Sequence, residues 1–474
     1  MTESSEQQIT FFAEQKRIYP KRVWGRYRKL KWVAMAVTLG IYYLAPFLRW
    51  DRGPNAPDQA ILIDLPHRRA YWFFIEIWPQ EVYFLTGILV LAAIALFFVT
   101  SLFGRVWCGY FCPQTVWTDL FIWVERIVQG DRNKRKKLHE GRWTWEKVWK
   151  IAVTHFFWLV IAWCTAGSFV LYFNDAPTLV KSFFEFNVSS TVLAFIGGLT
   201  FSTYLMAGFA REQVCTYMCP YARFQSAMFD NDTLIIGYDE TRGEKRGKHK
   251  QGDPWEGRGH CIDCTACVQV CPMGIDIRDG LQMECIACGL CVDACNEIMD
   301  KVGLPRGLVR YDTERHLKLR AQGIEEKFKI IRPRTIYYAG VLAVVGGIML
   351  YALITRAPLE LHVLHDRNPL YVQLSDGEIR NGYILKILNK THDHKNYNIK
   401  VAGLENAKVD VKGAGDLTPD SLYVQADSVG EFHIFVSAPV KPGEARPVVF
   451  TLTDNTTEKQ DVYESVFISE RPRG

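Results

Sequence analysis

Cysteine is missing from the first 107 residues and from everything after Cys295, and no Gly-x-Gly-x-x-Gly follows a strand-like run. The missing glycine fingerprint excludes a flavin or nicotinamide site of the dinucleotide-fold kind. The cysteine-free tail cannot carry a structural disulfide. Charge is also missing, from five long stretches: 32–48, 82–103, 151–173, 186–210 and 335–355. Each is close to the ~20 residues that cross about 30 Å of hydrocarbon as a helix, the first being the shortest. A charged polar segment precedes the first run and no small-residue cleavage pattern follows it, so no cleavable signal peptide is expected.

What the chain does contain fits a membrane. Its 474 residues are 49% hydrophobic with 14 Trp, 21 Tyr and 28 Phe, enough for two or three domains. Trp32, Tyr43, Trp50, Trp78, Tyr83, Tyr172 and Tyr337 stand near the ends of the apolar runs, where amphipathic rings prefer the interface. Lys and Arg number eight in 1–31 and nine in 104–147, against three in 50–81 and one in 174–188. By the positive-inside rule the N-terminus, the loop 104–147 and the segment 211–334 face the cytoplasm, and residues 356–474 end on the periplasmic side. The net charge is +5, and the basic run DRNKRKK (131–137) follows a membrane helix; it reads as an anchor near anionic lipid, not as a nucleic-acid site.

Twelve of the 13 cysteines fall in the segments assigned to the cytoplasm, and Cys164, alone in an apolar run, is expected to be a small buried hydrophobe. CIDCTACVQVCP (261–272) and CIACGLCVDACN (285–296) repeat Cys-x2-Cys-x2-Cys-x3-Cys, the two-cluster ferredoxin spacing. Three thiolates two residues apart cap three corners of an iron-sulfur cube, and the fourth ligand comes from the other motif. Cys261, Cys264, Cys267 and Cys295 are therefore expected to hold one 4Fe-4S cluster, and Cys285, Cys288, Cys291 and Cys271 the other. Zinc knuckles are the bland alternative. The second motif departs from the ferredoxin pattern in ending Cys295-Asn296, without proline.

A second repeat, VWCGYFCPQTVW (106–117) and QVCTYMCPYARF (213–224), places Cys-x-x-x-Cys-Pro just beyond two apolar runs that cross in the same direction. If the helix continues there, Cys108 with Cys112 and Cys215 with Cys219 each form a pincer on one helix face, ~6 Å wide. Two pincers would make a four-sulfur site, whose soft thiolates suit Cu(I) or a further iron-sulfur cluster; two pairs of buried thiols left by an old duplication are the alternative.

From 357 the chain turns β-rich. LYVQL (370–374), YILKILN (383–389), YNIKVAG (397–403), LYVQAD (422–427), EFHIFVSA (431–438) and RPVVFTLTD (446–454) alternate with turn signals, as in an immunoglobulin-like sandwich. His362, His365, His392 and His394 offer a weak metal-binding pattern, HVLH and HDH.

Taken in order, these features resemble the CcoG/FixG family of cytochrome c oxidase accessory proteins, through VWCGYFCPQTVWTDLF, CTYMCPYARFQ and DRNPLYV (366–372) together with the ferredoxin pair. The expected fold is a multi-domain membrane protein: an α-helical bundle of about five spans, a cytoplasmic two-cluster ferredoxin-like domain and a C-terminal β-sandwich. The expected boundaries are 1–31, 32–210, 211–334, 335–355 and 356–474. The resemblance implies an inner-membrane iron-sulfur oxidoreductase that reduces Cu(II) to Cu(I) for a cbb-type oxidase. It tilts the four-sulfur site toward copper, as the place where Cu(II) takes an electron from the ferredoxin clusters. A generic electron-transfer subunit of a respiratory complex and a non-catalytic assembly scaffold are the rivals. Expected partners are the lipid bilayer, copper ions, an electron donor the sequence leaves unnamed, oxidase assembly factors or copper chaperones, and a second copy in a homodimer; nucleic acid is not among them.

Overall fold

The computed structural model describes residues 17–469 except 55, 250–253, 321, 325, 327, 413–417, 441, 442 and 444. The chain divides into two compact units, one reaching to Leu48 and resuming over Gln59–Met349, the other taking Arg49–Asp58 with the chain from Leu350 onward.

In the first unit the helices are α1 (Arg26–Leu44), α2 (Val82–Phe103), α3 (Val106–Tyr110), α4 (Pro113–Val128), α5 (Arg132–Glu140), α6 (Trp145–Val170), α7 (Ala176–Phe184), α8 (Ser190–Thr203) and α9 (Pro220–Met228). Among the described residues five helical stretches are long and apolar enough to span a bilayer: Arg26–Phe47, Pro79–Phe103, Trp145–Val170, Ser190–Ala210 and Pro333–Ile354. They match the five charge-free runs with two corrections: the third starts at Trp145, six residues before its run, and takes in Glu146, Lys147 and Lys150, and the first also starts early. The first starts six residues early, inside the segment expected to precede it, because the charges of Arg28 and Lys31 are neutralised: Arg28 reaches both Asp119 oxygens at 2.9 Å and Lys31 lies 3.9 Å away. A buried ion pair carries these cations into the helix, where alone they would be costly.

Local chemistry sets the other helix ends. Thr144, Asp175 and Ser189 cap α6, α7 and α8 by accepting the backbone N–H of Lys147, Thr178 and Val192. At the end of α2, Gly104 takes φ 59° with its Cα facing the Leu234 carbonyl, a position only glycine fills without strain. After α8 the winding loosens into π-helix over Tyr204–Ala210 and again over Val214–Met218. Cys164 lies on an exposed face of α6, not in the interior as expected. In a spanning helix an apolar side chain meets tails as apolar as any core, so burial in protein gains it little. The sequence reading also missed a small antiparallel sheet, β1 (Ile61–Asp64), β2 (Arg69–Trp72) and β3 (Ile75–Ile77).

The ferredoxin part is not a separate layer. Strand β4 (Leu234–Tyr238) pairs antiparallel with β5 (Val309–Thr313). One apolar core then joins Ile236 and Val309 to Val270, Ile286, Leu290 and Met299, and takes in Val23 of the N-terminal segment and Cys108 of α3. The boundary expected at 210/211 is therefore not a boundary of packing.

The second unit is a two-sheet sandwich. One sheet has β10 (Lys408–Lys412), β12 (Ser428–Ala438), β8 (Ile379–Asn389) and β6 (Leu359–His365) in that order, with β7 (Val372–Gln373) also on β8; the other runs β11 (Leu422–Val424), β9 (Lys395–Ala402), β13 (Arg446–Asp454), β14 (Gln460–Phe467). Strict alternation in β13 buries Val448, Phe450 and Leu452 against Tyr383, Leu385 and Ile387 of the facing sheet. Strands β6, β10 and β14 were not foreseen; β14 buries only Phe467 and so carries little apolar signal. His362 and His365 lie on β6 three residues apart, which points them to opposite faces, so HVLH is no pincer. His365 is engaged by Asn381 and the Asp366 carbonyl, both at 2.7 Å.

Candidate iron-sulfur centres

Both ferredoxin motifs wind the same way. Asp263 and Thr265 in the first, and Ala287 and Gly289 in the second, take positive φ of 52°, 54°, 51° and 75°, at the second and fourth residues after the leading cysteine. Two left-handed residues in five close the loop tightly enough to turn three side chains inward. One cavity is lined by Cys261, Cys264, Cys267 and Cys295; a neighbouring one by Cys271, Cys285, Cys288 and Cys291. Each motif thus sends its last cysteine to the other's cavity. Cys267 borders both, so the two sites are adjacent.

These surroundings suit a metal-sulfur group. Burial pushes the thiols of Cys267, Cys271 and Cys295 up to about 12 and Cys285 up to about 11, and neighbouring cysteines add to the effect. Deprotonating such groups requires a bound cation's charge. Backbone N–H groups of Met273 and Ile275 reach Cys271, that of Ala287 reaches Cys285 and that of Val309 reaches Cys295. Hydrogen bonds of this kind tune the potential of a cluster. Among the described residues no three cysteine sulfurs lie within 4.8 Å of one another. A tetrahedral zinc with bonds of 2.3 Å would draw its four sulfurs to about 3.8 Å.

The Cys-x-x-x-Cys-Pro segments depart from the continuous helix expected of them. Cys112 and Cys219 are extended, with ψ of 127° and 112°, and each is the N-cap of a new helix whose first residue is the motif's proline. The pyrrolidine ring excludes helical backbone at the residue before it, so each helix must break there, and proline then starts the next one. The break does not scatter the sulfurs. Cys215 senses the charges of Cys108, Cys112 and Cys219, and burial pushes its thiol up to about 12. Cys108 is buried, the other three half-buried. Gln225 donates to the Cys108 sulfur from 3.4 Å and is itself held by Arg105.

This four-cysteine cluster abuts the second ferredoxin loop. A Cβ on Gly109 would lie 2.7 Å from the Ile286 carbonyl and 3.1 Å from both the Ala287 carbonyl and the Cys288 Cα, so only glycine lets α3 seat there. Tyr110 donates to the Cys288 carbonyl at 3.0 Å, Tyr311 to that of Ala287, and Arg105 to those of Met283 and Cys285. Behind the cluster, buried Glu125 receives Arg135 at 2.6 Å, Arg211 at 2.7 Å and Arg17 at 3.3 Å. These contacts tie α4, α5 and the turn before Cys215 together. Arg105, Gly109, Tyr110, Gln225 and Tyr311 escaped the sequence reading. Arg105 and Gly109, beside or between cysteines of a repeated motif, offered a signal; Tyr311, on a distant strand, offered none.

A family model described as a 4Fe-4S dicluster domain matches residues 210–314, and one described as a 4Fe-4S binding domain matches 85–135. A model for the Ig-like fold at the C-terminus of FixG matches 349–470. Nitrogen fixation protein FixG of Rhizobium meliloti (strain 1021) is 45% identical over 488 residues, covering 96% of this chain and 93% of that protein. The chain belongs to the FixG family. Another relative, protein RdxB of Cereibacter sphaeroides, is 49% identical over 417 residues and is covered, like this chain, to 87%. A solved FixG-related protein from Vibrio parahaemolyticus is 29% identical over 24% of this chain and 97% of that one, with a TM-score of 0.21. Family membership and the two 4Fe-4S matches make this a FixG-type iron-sulfur oxidoreductase of multi-pass membrane type.

Proposed function

We propose that this FixG-family chain reduces Cu(II) to Cu(I) and supplies the reduced ion during assembly of a cbb-type cytochrome c oxidase. The eight ferredoxin cysteines hold two 4Fe-4S clusters in the crossed arrangement. Cys108, Cys112, Cys215 and Cys219 form the site at which each Cu(II) takes up one electron. The supporting observation is the seating of α3 on the loop Cys285–Cys288 through Gly109, which sets the four-cysteine cluster against the second ferredoxin site. Soft thiolates favour the Cu(I) product over the Cu(II) substrate and so help drive the reduction. Arg105 and the Gln225 amide face Cys108 and offset thiolate charge there.

A second reading of the four-cysteine site is a third 4Fe-4S cluster, favoured by the 4Fe-4S binding match over 85–135. The double variant Cys108→Ser/Cys215→Ser decides. The copper reading expects Cu(II) reduction by prereduced protein to vanish while the ferredoxin EPR signals and membrane insertion persist. Loss of about four irons per chain would identify a third cluster. Undiminished reduction would reject this site, whereas failure of the prereduced wild type to reduce Cu(II) would favour a generic electron carrier or an inert scaffold.

The Lys and Arg asymmetry supports an inner-membrane placement with N-terminus and ferredoxin part in the cytoplasm and the β-sandwich in the periplasm. A reporter fused after residue 250 should be active only in cytoplasmic form, and one at the C-terminus only in periplasmic form. Same-side behaviour would remove a crossing.

A further inference from the structure

The first ferredoxin site has one edge toward solvent. Of the eight ferredoxin cysteines only Cys264 is exposed; the others are buried or half-buried. Beside it runs a groove of about 480 Å³, walled on one side by Thr265, Val268 and Gln269 and on the other by Arg17, Arg132 and Lys136. Thr265 also lines the first-cluster cavity, so groove and cavity share a wall. The N-terminal segment enters this corner through the Lys21 N–H, which donates to the Gln269 carbonyl at 2.8 Å. Lys21, Arg22 and Arg26 stand exposed along it.

Three cations, Arg17, Arg132 and Lys136, therefore line the groove together with Glu140. Lys21 and Arg22 stand on the adjoining segment, Arg17 also pairs with Glu125 at 3.3 Å, and the nearby carboxylates are engaged. Asp131 accepts the Arg22 N–H at 3.0 Å, Glu140 faces Lys136 at 3.8 Å, and Asp263, next to Cys264, is paired with Arg278 at 2.6 Å. The sequence alone assigned the run 131–137 to the lipid surface. Its helix, α5, places Arg132 and Lys136 in one groove with the loop of the first motif.

We propose that this cationic groove is the docking surface for an acidic, one-electron carrier protein, which delivers electrons at the first ferredoxin site. The proposal rests on the reading of that site as a cluster, and not on copper being the final acceptor. One electron leaves the reduced carrier and is taken up at the first motif; no bond and no proton moves. A bilayer also attracts such cations. A redox protein is favoured because the groove's other wall is the cluster loop itself, with the exposed cysteine one residue from it. Opposite charge across the gap raises the encounter rate and orients the partner, and salt weakens both effects.

The test uses the full-length holoprotein in neutral detergent, with reduced flavodoxin as the acidic carrier and photoreduced deazaflavin as an uncharged control. In stopped flow the flavodoxin rate should fall steeply with salt. In Arg132→Glu/Lys136→Glu, and more weakly in Lys21→Glu, it should drop about tenfold at low salt and lose most of its salt dependence. Carbodiimide coupling should join flavodoxin carboxylates to Lys21 or Lys136. Deazaflavin reduction and the EPR spectrum should be unchanged in both variants. Equal flavodoxin rates in wild type and variants, or cross-links confined to other lysines, overturn the proposal. So does a variant that keeps its flavodoxin rate but loses binding to phosphatidylserine vesicles, which would make the face a lipid surface. Absence of the first cluster's EPR signal from the wild type would instead overturn the underlying reading of that site.

Discussion

The two cysteine sites of the first unit are built in opposite ways. In the ferredoxin part all eight sulfurs come from two segments of eleven residues, 261–271 and 285–295, each turned inward by two left-handed residues. In the other site two pairs, separated by about a hundred residues of sequence, are brought together by helices that have to stop and restart at each proline. A ferredoxin loop folds largely around its own ligands. The four-cysteine cluster exists only while α3, α4, α9 and the turn at Arg211 are held in register. Metal-site geometry can therefore be a local property or a tertiary one, and the two should fail differently when perturbed.

The largest effect is expected where the local sites borrow from each other. Cys295→Ser should abolish the cluster otherwise held by the first motif, and Cys271→Ser the other, each with loss of about four irons in metal analysis. Persistence of both EPR signals in either variant would refute the crossing.

Next comes the framework behind the four-cysteine cluster. Glu125→Ala leaves three arginines facing a buried gap and should cost ~3–5 kcal/mol in thermal or denaturant unfolding. Thiol labelling should then reach Cys215, while the ferredoxin EPR signals stay intact. Loss of the ferredoxin signals at the same time would erase the distinction between the two sites.

A smaller effect is expected at their junction. Gly109→Ala inserts a methyl against the Ile286 carbonyl at 2.7 Å and should destabilise by about 1–3 kcal/mol, as overpacking does. Electron transfer out of the second cluster should slow although both clusters remain reducible by dithionite. An unchanged transfer rate would show that the seating of α3 does not set the path.

Legibility from sequence followed the same division. The grouping of the eight ferredoxin cysteines around two cavities, and its crossing, could be read from spacing alone, since two or three residues between sulfurs leave few conformations. The five spans could be read from missing charge, except that Glu146, Lys147 and Lys150 concealed the start of the third and Arg28 and Lys31 that of the first; the partner of these last two, Asp119, lies about ninety residues away. In the β-sandwich, strands with strict alternation such as β13 were visible. Strand β14 was not, because neighbouring strands rather than its own apolar pattern hold it in the sheet.

By itself, the sequence determined a multi-span chain with two ferredoxin loops and a β-rich tail. Each of these follows from short-range regularities: runs without charge, cysteines at fixed intervals, alternation along a strand. Tertiary structure decided the rest. It broke the helix at Cys112 and Cys219 yet gathered the four sulfurs, set Gly109 against the second loop, and buried Glu125 among three arginines. It also set Arg132 and Lys136 of the basic helix α5 in one groove with Thr265, the residue after Cys264. Such features depend on which distant segments pack together. Packing is governed by shape and by charge neutralisation between residues far apart in sequence, and no interval along the chain records it.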